Sequence, residues 1–134
     1  MVSGPRLAVV KINQGPPIEA LTDSGCDCYV LISESLVRRL RLPLVERRAI
    51  PLRAFSESAG ETDATRVAVF TIEISGYEER LYAYVVPGLE YDLFLGDPWF
   101  VRNKVEYAAA QRLLYHRQEG VRIYLRGQQE PPSI

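Results

Sequence analysis

Histidine is nearly absent from this chain: His116 is the one imidazole in 134 residues, beside two cysteines, Cys26 and Cys28, and a single tryptophan, Trp99. One imidazole, far in sequence from either thiol, leaves Ser–His and Cys–His nucleophile arrangements without a base. It also leaves too few nitrogen and sulfur ligands for zinc, so no metal and no cofactor is expected. The two cysteines stand two positions apart where a strand is about to begin, poor geometry for a bridge. They read as small, partly buried thiols in a reducing compartment. No apolar run approaches the ~20 residues of a membrane span. No basic-then-apolar leader is present, so a cytoplasmic protein without membrane association is expected. Nor does either charge dominate: sixteen Lys and Arg face seventeen Asp and Glu, for a formal charge of −1. That balance argues against a nucleic-acid partner. The local cluster Arg38, Arg39, Arg41, Arg47 and Arg48 reads as the solvated side of a helix and its exit. Hydrolytic chemistry in such a chain falls to carboxylates.

What the chain does have is apolar patterning. At 47% hydrophobic composition it can bury the core of one domain, expected over residues 7–125, with flexible termini at 1–6 and 126–134. Residues 7–12 read as a strand, Asn13-Gln14-Gly15-Pro16 as a turn, and residues 17–22 as the returning strand. Ser33 opens a helix of about two turns with Glu34 at its dipole-favoured end and Leu36, Val37 and Leu40 on its apolar edge; Pro43 ends it. Residues 44–54 read as extended and interrupted by Pro51. The polar, glycine-bearing stretch from Phe55 to Asp63 has the composition of an exposed hairpin tip. Residues 65–74 alternate, with Ala68, Phe70, Ile72 and Ile74 on one face; residues 75–78 turn and residues 80–86 pair back. Tyr91-Asp92-Leu93-Phe94-Leu95-Gly96 is a short strand, after which Asp97 is placed to cap a helix with Pro98 at its first position. Asn103 and Gln111-Arg112 read as turns around a strand, with a helix through Ala108-Ala109-Ala110 as the alternative, and residues 121–125 as a last strand. The sum is about seven to nine short strands and two short helices, an all-β, barrel-like domain.

Chemistry concentrates in residues 18–40. Asp23 follows an apolar strand and precedes Ser24 and Gly25, which puts a carboxylate on a tight loop where glycine permits close backbone approach and serine can tie down the turn. The same three residues also describe an ordinary Asx-type turn. A fainter echo exists: strand, Asp-Ser-Gly and helix in the first half; strand, Leu-Gly-Asp-Pro and helix in the second.

Three segments in order resemble the retroviral-type aspartic proteases, and most nearly those of long-terminal-repeat retrotransposons and their domesticated descendants. ALTDSGCDCYVLIS (residues 20–33) is similar to the family's Asp–Ser/Thr–Gly signature. The hairpin at residues 51–67 stands where the family has its flap. YDLFLGDPWF (residues 91–100) resembles the family's apolar–apolar–Gly motif in its Gly-x-Pro-Trp variation. The resemblance implies a small closed barrel that acts as a homodimer on a peptide or polyprotein substrate. Its one carboxylate turn requires Asp23 of a second copy to complete a dyad. By the same resemblance Ser24 would brace the two turns and Gly25 would bond substrate backbone. Asp27 would take substrate N–H groups, and Leu21, Cys26, Val30, Tyr91 and Phe94 would line side-chain pockets, with Phe55 in the closing flap. Localisation would be cytoplasmic or within retrotransposon particles. A catalytically silent peptide-binding or dimerisation module is the alternative that the resemblance leaves open. One departure stands out: Asp97 occupies the place where viral members carry an arginine that braces the dimer.

Overall fold

Asn13 and Gln14 both take left-handed backbone angles (φ 50° and 62°), a conformation that reverses an antiparallel pair with the proper twist. They fold β1 (Leu7–Ile12) back onto β2 (Pro17–Asp23) with Leu7 opposite Leu21 and Val10 opposite Ile18. In this computed structural model, which describes residues 5–23, 25–51 and 63–126, the chain continues through β3 (Val30–Ser33), α1 (Glu34–Leu40), β4 (Leu44–Pro51), β5 (Asp63–Ile74), β6 (Tyr77–Val86), β7 (Leu93–Gly96) and α2 (Asp97–Asn103). It ends with β8 (Val105–Ala108), a single 3₁₀ turn (Ala109–Gln111), β9 (Leu113–His116) and β10 (Val121–Tyr124).

Six of the strands close a barrel in the order β1-β2-β7-β3-β6-β5, with β1 returning to β5 through Lys11–Glu73 and Ile12–Ile72. Asn13 fastens that seam, its N–H donating to the Thr71 carbonyl and its Oδ1 accepting the Thr71 N–H, both at 2.9 Å. β5 is long enough to carry β6 on one edge and both β1 and β4 on the other. β8, β9 and β10 form a separate three-stranded antiparallel sheet. It ties back to the barrel where Leu125 bridges Ala8 and Arg126 N–H donates to the Leu7 carbonyl at 2.7 Å.

The all-β barrel with two short helices is thus as expected, and the boundaries differ where local chemistry intervenes. The turn expected at Gln111-Arg112 is present, with Arg112 at a left-handed φ of 49°; it divides β8, which ends at Ala108, from β9, and Ala109 and Ala110 lie in the 3₁₀ turn between them. β6 begins at Tyr77, because the turn needs only Ser75 and Gly76, both at positive φ. α1 is capped as expected, Ser33 Oγ accepting the Leu36 N–H at 3.2 Å, and it ends at Leu40 through a left-handed Arg41 ahead of Pro43. Asp97 does not cap α2: Gly96 is the N-cap residue and Asp97 lies in the first turn. Arg38 and Arg39 point to solvent and pair with Glu34 and Asp92 at 3.3 and 3.6 Å, exposed contacts that contribute little stability. Among the described residues no helix is long and apolar enough to cross a membrane.

The barrel interior holds Phe70, Ile72, Ile74, Leu93 and Leu95, with Trp99 of α2 fully buried against them. Trp99 Nε1 donates to Glu79 Oε1 at 3.1 Å, and Asn103 Nδ2 reaches the same oxygen at 3.4 Å. Tyr29 Oη donates to Glu79 Oε2 at 3.5 Å. Burial, then the charge of Glu79, pushes the Tyr29 phenol up to about 12.

His116 is fully buried at the junction of the two sheets, its ring 4.4 Å from that of Tyr77 and 6.1 Å from that of Trp99. Its Nδ1 accepts the Glu119 N–H at 3.1 Å, which leaves the proton on Nε2. Burial holds this imidazole below its ordinary value, so the unfolded chain binds a proton there that the folded chain refuses. The stability that this supplies is present above the unfolded pKa and is lost as pH falls through about 6.5 toward the folded value. Denaturant melts from about pH 7 to about pH 5 are therefore expected to show falling stability. The dependence should flatten in His116→Phe, whatever that variant's absolute stability; an unchanged slope would contradict the assignment.

Candidate active site

Asp23 is the last residue of β2 and lies beside Gly96, the last residue of β7, in the parallel β2–β7 pair. Its Oδ1 accepts the Gly25 N–H at 2.9 Å, and its carbonyl accepts the Cys26 N–H at 3.1 Å. The carboxylate is half-buried and oriented by its own turn. Ser24 lies outside the described residues.

The turn is seated on β7. Asp97 N–H donates to the Cys26 carbonyl at 2.8 Å, and Gly96 N–H donates to the Tyr29 carbonyl at 2.9 Å. Between those bonds Gly96 has no room for a side chain: a Cβ there would collide with the Cys28 carbonyl and lie 3.0 Å from the Cys26 carbonyl oxygen. Its φ of −94° is open to any residue, so glycine is required by contact and not by backbone angle. From the other side Arg6 supports the strand end, its carbonyl accepting both the Thr22 N–H at 2.8 Å and Thr22 Oγ1 at 2.9 Å.

Successive strand residues point to opposite faces, so Leu21 shares the face of Asp23 while Ala20 and Thr22 are buried on the other. Opposite Leu21 on β7 stands Phe94, opposite Phe94 on β3 stands Leu31, and opposite Leu31 on β6 stands Tyr84. Four side chains therefore form one row beside the carboxylate turn. Leu31 and the partly buried Phe94, Tyr84, Cys26 and Leu89 pack with Cys28, Ala64 and Val86 as a cluster separate from the barrel core. The Tyr91 ring joins at 5.9 Å from that of Phe94. Asp27 is exposed.

Of the residues singled out from sequence, Asp23, Gly25, Leu21, Cys26, Asp27, Phe94 and Tyr91 are brought to this end of the barrel. Val30 is not among them. It is 1% exposed in the main core, because alternation along β3 turns Leu31, and not Val30, toward the second cluster. Phe55 and most of the expected flap lie outside the described residues. Tyr84 and Leu89, which the sequence reading does not single out, stand half-buried in the same cluster, whereas Leu31 and Val86 are fully buried beneath it; the alternation of β3 is the signal that places Leu31 there. The expectation of two unpaired thiols is also corrected, since Cys26 and Cys28 are joined as a disulfide with Cα atoms 5.4 Å apart. The strand starts only at Val30, and the turn that precedes it curls the cysteines into the range a bridge needs.

Because Gly96 carries the turn by contact, Gly96→Ala is expected to lose about 1–3 kcal/mol, the usual scale of overpacking. Chemical denaturation measures the loss. A wild-type midpoint would show that the loop moves aside at no cost.

A family model described as the PEG10/RTL1 protease domain matches residues 19–117. A search of curated protein sequences finds no match. Among solved structures, the chain is similar to the retroviral protease-like domain of Ddi1 from Leishmania major, with a TM-score of 0.68 at 15% identity over 97% of this chain and 100% of that one. It is also similar to the EIAV protease solved with the inhibitor HBY-793 (TM-score 0.57, 17% identity, 80% of this chain and 95% of that one). A retropepsin-like aspartic protease from Rickettsia conorii gives a TM-score of 0.57 at 16% identity, over 91% of this chain and 82% of that one. At such identities the structures speak for the fold, and the family rests on the sequence model. By that match, which takes in the Asp23 turn and the Gly96 motif together, the chain belongs to the PEG10/RTL1-type, retropepsin-like protease domains of the aspartic protease superfamily.

Proposed function

We propose that this domain is an aspartic endopeptidase, cleaving extended peptide segments of a polyprotein between two Asp23 residues supplied by the two copies of a homodimer. The observation that carries the reading is the Asp23 turn itself. A half-buried carboxylate is oriented by the Gly25 N–H, seated on Gly96, and set on the same face as the apolar row from Leu21 to Tyr84. Family membership supports it.

One carboxylate cannot do this chemistry alone. Two held close enough to share a proton repel one another as anions, so one stays protonated while the other is charged. The charged Asp23 takes a proton from water, whose oxygen bonds to the peptide carbonyl carbon, while the protonated Asp23 gives its proton to the carbonyl oxygen. Collapse of the tetrahedral diol breaks the C–N bond as a carboxyl group protonates the departing nitrogen. The two groups titrate as a pair, and neither apparent pKa belongs to one residue. A chain with one such turn reaches this arrangement by twofold symmetry, which brings the same turn from both copies to one axis.

An extended substrate suits a site bordered by strands, with main-chain hydrogen bonds giving affinity and alternate side chains entering pockets. In this reading Gly25 and Asp27 would meet substrate backbone, Ser24 would brace the two turns, and Leu21, Cys26, Tyr91 and Phe94 would line pockets. Phe55 would come from the flap, and Val30 would contribute only from beneath the pocket floor. The working unit is taken to span residues 7–125, a boundary supported by the Ala8–Leu125 bridge. Processing of a polyprotein in the cytoplasm or within particles fits the family.

Asp23→Asn should lower peptide cleavage by at least about 10²-fold, the scale of a positioned acid or base, with the dimer intact by sedimentation. Cleavage at the wild-type rate in this variant would end the proposal. An intact dimer that binds peptide but never cleaves it, in wild type as in variant, would favour the silent binding module instead.

A further inference from the structure

The Cys26–Cys28 bridge is not accounted for by catalysis or by stability. A disulfide stabilises a fold mainly by restricting the unfolded chain, and the effect shrinks with the loop it closes. This one encloses Asp27 alone, so it does little as a staple. Its position is more informative. Cys26 donates its N–H to the Asp23 carbonyl, and its own carbonyl holds the Asp97 N–H. The Cys28 carbonyl presses on Gly96. Both sulfurs belong to the side-chain cluster that contains Phe94, Leu31 and Leu89. The two residues also differ as redox partners should. Cys26 is partly exposed, and the Cys28 N–H points at its sulfur at 3.4 Å. Cys28 is 7% exposed, out of easy reach of a reagent yet within bonding reach of Cys26.

We propose that Cys26 and Cys28 form a reversible dithiol–disulfide switch in the wall of the peptide cleft, oxidised by small disulfides of the glutathione class. The Cys26 thiolate attacks one sulfur of glutathione disulfide; the old S–S bond breaks, and one glutathione leaves as a thiolate that takes a proton from water. The Cys28 thiol loses its proton, and its sulfur attacks Cys26 Sγ in the mixed disulfide. The second glutathione leaves and is protonated in turn. Two protein thiols are oxidised and one glutathione disulfide is reduced to two thiols, so atoms and electrons balance. Reduction by a dithiol runs the sequence backward. Because the pair touches the side-chain wall and the loop around Asp27, and not the Asp23 carboxylate, its state acts on peptide affinity. That consequence rests on the protease reading; the redox pair does not.

The test treats the full chain with reduced and oxidised glutathione, alkylates the remaining thiols and reads both cysteines by mass spectrometry. The wild type should form the internal bridge without lasting glutathione adducts. Cys28→Ser should stall as a glutathione adduct on Cys26, and Cys26→Ser should react at least about tenfold more slowly. Asp23→Asn, which removes the proposed carboxylate chemistry, should behave as wild type throughout. Equal rates in the two cysteine variants, or stable adducts at both positions in the wild type, would overturn the pair. In the cleavage assay, KM for one peptide should differ severalfold between the two states while kcat holds. The Cys26→Ser/Cys28→Ser double variant should not respond to glutathione. An equal KM in both states would overturn the switch even with the chemistry intact. Absence of cleavage in both states would count against the protease reading, leaving the mass readout to decide the pair.

Discussion

The contact between Gly96 and the Cys26–Cys28 backbone is the constraint on which the site depends. A loop with an acidic residue is ordinarily free to wander. Here three things fix it: the parallel pairing of β2 with β7, hydrogen bonds from the Gly96 and Asp97 N–H groups, and backbone packing against a residue that has no side chain. The Asp23 carboxylate inherits that fixity through the Gly25 N–H. A preorganised carboxylate is the expected requirement of water activation, since misplacement by about 1 Å costs much of the gain from orientation.

The rest of the barrel can be understood as support for that seat. β7 lies between β2 and β3 and presents Leu93 and Leu95 to the core and Phe94 to the opposite face. Trp99, anchored to Glu79, holds α2 beneath the same strand, so the helix that starts at Gly96 is fixed where the turn needs it. Two apolar clusters result, one closing the barrel and one bordering Asp23. The second is poorer in aliphatic bulk and contains both cysteines.

Much of this was legible in the sequence because the signals were local. The alternation of β5, the Asn13-Gln14 and Ser75-Gly76 reversals, the Ser33 cap and the hydrogen bond from the Gly25 N–H to Asp23 each depend on near neighbours. What escaped depended on distant ones. The place of Gly96 against Cys28 is fixed by a contact between segments 68 residues apart in number, and glycine at φ −94° gives no conformational hint. The disulfide is not legible in sequence because the approach to a strand suggests an extended backbone, and the turned one present places two sulfurs differently. Val30 faces the main core and Leu31 the second cluster, a difference that one residue along a strand makes. The alanines at 108–110 gave no clear period, and left-handed Arg112 settled their fold.

The central claim is that two copies of one turn make one site. Mixing wild-type chain with Asp23→Asn in varied proportion, with time for subunit exchange, tests it most directly. If each site draws one Asp23 from each copy, and one Asp is insufficient, cleavage per total protein falls as the square of the wild-type fraction. A linear fall would mean that each chain carries a complete site, and would contradict the account.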